Sequence, residues 1–167
     1  MEIGVDAIKT LRGLTGAGVM DCKTALEESG GDMKKAEEIL REMGIASAQS
    51  KTSRTTNQGL VDSYIHSGGR IGAIVEANCE TDFVARTDDF KELAHSLAMQ
   101  VAAMAPKYVD SSEMPEGEAE NPEEVCLLQQ PFIKDPSKTV QDLVNEAVAK
   151  LGENVRVRRF TRFSLGE

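Results

Sequence analysis

The run Arg70-Ile71-Gly72-Ala73-Ile74-Val75-Glu76-Ala77-Asn78-Cys79-Glu80-Thr81-Asp82-Phe83-Val84-Ala85-Arg86 decides the fold class, because a strand ends inside it and a helix begins soon after. Ile71, Ala73, Val75, Ala77 and Cys79 alternate with Gly72, Ile74, Glu76 and Asn78, the period of two that puts one set on a core and the other outward. Upstream, Leu60 to His66 reads as the partner strand, and Ser67-Gly68-Gly69 supplies a hairpin turn. Downstream, Thr87 is placed to cap a helix whose first turn carries Asp88 and Asp89, both favourable to its dipole. Phe90, Leu93, Leu97, Val101 and Met104 mark the buried face of that helix, and Pro106 ends it.

Further along, residues 110–124 are acidic and carry Pro115, Gly117 and Pro122, which reads as a solvated, mobile connection. Asp135-Pro136-Ser137 looks like the start of another helix, with Val140, Leu143, Val144, Ala147 and Leu151 along it and Gly152 after it. Val155 to Phe163 reads as a closing strand whose alternation slips at Arg158-Arg159, the mark of a bulge. Strand, strand, helix, helix, strand predicts an α+β core over residues 58–167, a three-stranded antiparallel sheet packed with helices.

The amino-terminal stretch has a different period. Val5, Ile8 and Leu11 recur at helical spacing, as do Val19, Cys22 and Leu26, then Met33, Ala36, Leu40 and Met43. Glycine-rich turns separate the three, Asp32 is a candidate N-cap and Gly44 a candidate stop. Residues 1–46 therefore read as a three-helix bundle, and the polar, apolar-poor residues 47–57 as a linker.

Composition removes several function classes. The 167 residues carry a formal net charge of -9, the wrong sign for a chain that gains affinity by releasing counterions from nucleic acid. No apolar run approaches membrane-spanning length, and Met1-Glu2-Ile3-Gly4 opens into a helical pattern rather than a leader. Cys22, Cys79 and Cys126 are odd in number and widely separated, with no CxxC, so a reducing cytoplasm is expected. His66 and His95 stand near no cysteine at ligand spacing, and neither a metal nor a cofactor is expected.

The remaining motifs carry little chemistry. Gly13 and Gly18 have phosphate-loop spacing, but Val19 and Met20 stand where a lysine and a hydroxyl are needed, and a helix precedes them rather than a strand. No base–nucleophile grouping is visible, which argues against an enzyme. Val155-Arg156-Val157-Arg158-Arg159-Phe160-Thr161-Arg162-Phe163 interleaves basic and aromatic residues as some RNA-binding strands do. A half-buried strand with a charged outer face fits the acidic whole better. Phe83 falls on a connection, where it either packs inward, the commoner fate of a phenylalanine, or projects into a partner.

Three stretches resemble one family. Leu14-Thr15-Gly16-Ala17-Gly18-Val19-Met20-Asp21-Cys22-Lys23-Thr24-Ala25-Leu26, Asn78 to Arg86, and Gln130-Pro131-Phe132-Ile133-Lys134-Asp135-Pro136-Ser137-Lys138-Thr139-Val140 look like signatures of elongation factor Ts, in the same order and spread over almost the whole chain. The resemblance implies a guanine-nucleotide exchange factor that strips GDP from elongation factor Tu. It implies a bundle of the ubiquitin-associated type, docking on the GTPase domain through Arg12, Val19 and Met20, though Val19 also belongs to the apolar stripe of its helix. Thr81, Asp82, Phe83 and Val84 are implied to intrude beside the partner's Mg²⁺ site, and His66 to press near its phosphate-binding loop.

The chain departs from the longer members of that family, which have two core subdomains, one with the Asp-Phe element and the other with the histidine turn. Here one hairpin and its following loop carry both, and a helical-hairpin insertion is reduced to the acidic stretch before Val125. A homodimer in a two-to-two complex is therefore expected, with its contacts in the core. The runner-up is an adaptor module for a ubiquitin-like or nascent-chain partner, carried by a Met43-Gly44-Ile45 loop, which leaves the motif at Thr81 to Arg86 unexplained.

Overall fold

Strand β2 (Ile71–Cys79) lies at the centre of a three-stranded antiparallel sheet, flanked by β1 (Gln58–Ile65) and β5 (Val155–Ser164). A computed structural model describes residues 3–167; Met1 and Glu2, which open the first helical pattern, lie outside them. Ala73, Val75, Ala77 and Cys79 are all buried, as their alternation requires, against helix α5 (Asp88–Met104). The bulge falls where the pattern slips: Glu76 faces Arg159 but Ala77 faces Val157, so Arg158 is the extra residue. Both Arg158 and Arg159 consequently point outward and share Glu76 as their ionic partner. Gly59 has φ of 151°, and a Cβ there would stand 2.1 Å from the Ala77 carbonyl oxygen; only glycine lets the strands close.

Between β2 and β5 the chain forms the single-turn helix α4 (Asp82–Ala85), α5, the short α6 (Pro122–Val125), a small hairpin of β3 (Pro131–Phe132) with β4 (Asp135–Thr139), and helix α7 (Val140–Leu151). Thr87 caps α5 by accepting from the Phe90 N–H. The helix expected to open at Asp135-Pro136-Ser137 starts later. Asp135 instead accepts from the N–H and hydroxyl of Ser137, a local turn that keeps the segment extended. The true start is Thr139, which with Asp142 forms a reciprocal capping box.

The acidic connection is not an open tether. A 3₁₀ turn at Ser111–Glu113 and α6 give it local structure, Val109 is buried, and Lys107 pairs with Glu120 at 2.5 Å. Beneath it lies a hydrogen-bonded pair of buried glutamines. Gln100 donates to Gln130 and to the Pro131 carbonyl and accepts from the Ile133 N–H, while Gln130 donates to the Glu124 carbonyl.

Helices α1 (Val5–Thr15), α2 (Val19–Glu28) and α3 (Met33–Lys51) pack around Leu11, Cys22, Ala25, Leu26 and Ala36. Asp32 caps α3 as expected, accepting from the Lys35 N–H. Gly44 does not end it: α3 runs on to Lys51, taking the first residues of the expected linker into a helix. Gly44 is buried against the Asn145 backbone of α7, and Ala48 packs on the main core, so burial holds the helix past the glycine. With Met43, Gly44 and Ile45 inside a helix, no Met-Gly loop forms.

Arg41 on α3 reaches across to Asp142, donating from Nε at 3.1 Å. Burial pushes the Asp142 carboxyl up, but the Thr139 N–H, the Arg41 guanidinium and the Thr139 hydroxyl together hold it below the usual carboxylate range. The carboxylate thus caps α7 and ties the bundle to the core. Asp142→Ala should lower stability by about 2 kcal/mol at neutral pH. Because its folded pKa lies below the unfolded one, that contribution is present above the ordinary carboxylate range and lost as pH falls through the folded value. Thermal melts of wild type and variant should therefore converge in acid.

Candidate partner-binding site

Where β2 ends, Thr81 caps the single turn α4 by accepting from the Val84 N–H. Its hydroxyl donates to Glu153 Oε1 at 2.5 Å and its N–H donates to Oε2 at 2.8 Å, so one carboxylate from the α7–β5 connection grips both groups. Glu80 makes a parallel tie: its Oε1 accepts from the Asn154 N–H at 2.7 Å and from Arg54 at 3.4 Å. Asn154, itself buried, donates to the Arg54 carbonyl. Val84 and Ala85 pack into the core under the turn, and Asp82 pairs with Arg86.

That frame leaves Phe83 78% exposed. A phenylalanine held in water on a rigid turn has the character of a binding anchor, and the inward-packed alternative is excluded. Val84, grouped with it from the motif, is buried instead; it anchors the turn and is not part of its surface. Thr81 is exposed, but its polar groups are engaged by Glu153.

The same end of the molecule carries the amino-terminal residues. Arg12 lies in the last turn of α1, and Val19 and Met20 open α2 at 49% and 68% exposure. Val19 is thus outside the core that its helical spacing suggested; the buried stripe of α2 is Cys22, Ala25 and Leu26. Exposed Leu14 adds to the patch. The turn between α1 and α2 lies by Lys150, whose Nζ is 3.8 Å from where a Gly16 Cβ would stand. Lys150 also pairs at 2.9 Å with Asp89, in the first turn of the helix that follows the Phe83 turn.

His66 is elsewhere. It sits at the β1–β2 hairpin turn, exposed, with its N–H donating to the Ile71 carbonyl and Gly68 and Gly69 at positive φ beside it. The nine residues of β2 stand between His66 and Phe83, a separation of about 30 Å at about 3.4 Å per residue. One protomer therefore exposes Arg12, Val19 and Met20 on the bundle and Phe83 on the α4 turn, and leaves His66 at the far end of the hairpin from Phe83.

Sequence reading missed the supports. Glu153 and Asn154 follow the left-handed Gly152 that ends α7, and only the fold reveals that this turn faces Thr81. Cys79, beneath the turn, donates its thiol to the Thr81 carbonyl at 3.2 Å. Burial, with the charge of Glu153, pushes that thiol up to about 11. Among the described residues no cluster of three or more His, Cys, Asp or Glu side chains is arranged to hold a metal, and no helix is long and apolar enough to cross a membrane.

Comparison with known proteins gives a uniform result. The family described as Elongation factor TS matches residues 32–124 and 119–167, two pieces that meet within the acidic connection. Elongation factor Ts of Thermotoga petrophila is 51% identical over 195 aligned positions, covering 100% of this chain and 98% of the relative. That of Thermoanaerobacter sp. is 49% identical, covering 99% and 96%, and that of Coprothermobacter proteolyticus 47%, covering 100% of both. An alignment of 195 positions against a chain of 167 residues means that the relatives carry residues this chain lacks.

Two outcomes should separate the exposed anchor from its supports. Phe83→Ala should leave stability within about 0.5 kcal/mol of wild type, whereas Glu153→Ala should cost about 1–2 kcal/mol in a denaturant titration. The Cys79 thiol should resist alkylation in the folded protein at pH 8, reacting at the rate of global opening.

Proposed function

The chain belongs to the elongation factor Ts family, and from that premise we propose that it is a guanine-nucleotide exchange factor for elongation factor Tu. The observation that carries the reading is Phe83, an exposed aromatic on a turn clamped by Glu153 and seated on Val84 and Ala85. A translation GTPase holds GDP through a Mg²⁺ that bridges phosphate oxygens and protein side chains, so moving the groups that support the metal loosens the nucleotide. Phe83 acts as the wedge, and Asp82 lies beside it. No covalent bond is made or broken; the factor works only by binding the nucleotide-free state better than the GDP-bound one. By linkage, GDP weakens the factor's own binding to the same degree.

Arg12, Val19 and Met20 form the docking face of the bundle, which takes the role of a ubiquitin-associated-type module. His66 presses on the side of the phosphate-binding loop. Both points of pressure converge on the same phosphates, yet in one protomer they lie at opposite ends of β2. A homodimer resolves this if each GTPase takes Phe83 from one protomer and His66 from its partner, giving a two-to-two complex. The outer face of the sheet supports such pairing: Ile65, Ile74 and Phe163 are exposed there on neighbouring strands, with Leu165 just beyond. The setting of such a factor is the cytoplasm, with no nucleic acid or cofactor of its own. The adaptor reading loses its ground, since its loop residues lie within α3.

Elongation factor Tu loaded with fluorescent GDP tests the proposal. Wild type should accelerate release, and Phe83→Ala should lose about tenfold or more, equivalent to at least ~1.4 kcal/mol in the barrier. Failure of the wild-type chain to accelerate release at all would refute the exchange function.

A further inference from the structure

His66 is exposed in a glycine turn, where an imidazole ordinarily rotates freely and loses that freedom on binding. Here it is not free. Tyr64, two residues earlier and so on the same face of β1, places its hydroxyl 3.0 Å from His66 Nδ1. The tyrosine ring is fixed in turn. It packs on the main core and meets His95, on α5, in a T-shaped arrangement at 5.9 Å between centroids. His95 Nδ1 lies 3.5 Å from Asp62 Oδ2, a further two residues back on β1. Asp62, His95, Tyr64 and His66 form a continuous row from the body of the sheet to its tip.

We propose that Tyr64 is a positioning residue for His66, its hydroxyl donating to Nδ1 and so presenting Nε2–H outward as a hydrogen-bond donor toward the partner GTPase. The inference rests on the exchange function and on the contact assigned to His66. A phenol is a stronger hydrogen-bond acid than a neutral imidazole, so the hydroxyl is the natural donor of the pair, and occupation of Nδ1 leaves the proton on Nε2. A ring already held in its binding rotamer surrenders less entropy on contact, worth roughly two- to tenfold in the affinity of that contact. Tyr64→Phe removes the hydroxyl and keeps the ring that packs on His95 and the core, so the fold should survive it.

A double-mutant cycle on stimulated GDP release reads this directly, with Tyr64→Phe, His66→Ala, the pair together, and Phe83→Ala as a reference. Tyr64→Phe should reduce release about two- to tenfold with an unchanged melting temperature, and the double variant should be no slower than His66→Ala alone. In ¹⁵N spectra of the neutral ring, wild type should show His66 Nδ1 unprotonated and hydrogen-bonded, and Tyr64→Phe should lose that bond. Wild-type rates in Tyr64→Phe, additive losses in the double variant, or a protonated Nδ1 would each overturn the proposal. If His66→Ala is itself without effect, the proposal falls with the His66 contact, while a defect in Phe83→Ala would still leave the exchange function standing.

Discussion

The inner face of β2 is the constraint on which the rest of the structure depends. Ala73, Val75, Ala77 and Cys79 are small or medium side chains with almost no exposure, and their size lets α5 lie close across the sheet. A strand buried on that face and hydrogen-bonded on both edges cannot slip by one residue without reversing every side chain. The register therefore fixes both of its ends in space. One end is the His66 turn, the other the Phe83 turn, and neither can move independently of the core.

That rigidity gives an exposed phenylalanine its meaning. On a mobile loop, Phe83 would collapse onto the surface or lose much of its binding free energy to ordering. Here the turn beneath it is seated on Val84 and Ala85 and gripped by Glu153, so its ordering cost is met in folding rather than in association. The tie from Arg41 to Asp142 and the approach of Lys150 to the α1–α2 turn hold the bundle against the same core.

Much of this is legible in the sequence, and the reasons for the failures are physical. The alternation of β2, the Thr87 cap and the Arg158 bulge are local signals that tertiary structure had no cause to override. Gly44 misleads because burial against α7 outweighs its poor helix propensity, and Asp135-Pro136-Ser137 because its aspartate satisfies a local turn while Thr139 and Asp142 hold the stronger cap. Whether Phe83 faces in or out has no local signature: residues of that turn are divided between core and surface by contacts from Glu153, some seventy positions away. The long arm between His66 and Phe83 follows from the length of β2 alone, which the alternation of its residues already specifies.

The arrangement in trans is best tested by complementation between two crippled protomers. Phe83→Ala and His66→Ala chains, each impaired in stimulating GDP release alone, would be mixed and allowed to exchange subunits. If one GTPase takes Phe83 from one protomer and His66 from its partner, each mixed dimer regains one intact site, and an equal mixture should recover about a quarter of wild-type activity. Activity in the mixture no higher than the mean of the two variants, with subunit exchange shown to be complete, would contradict the arrangement.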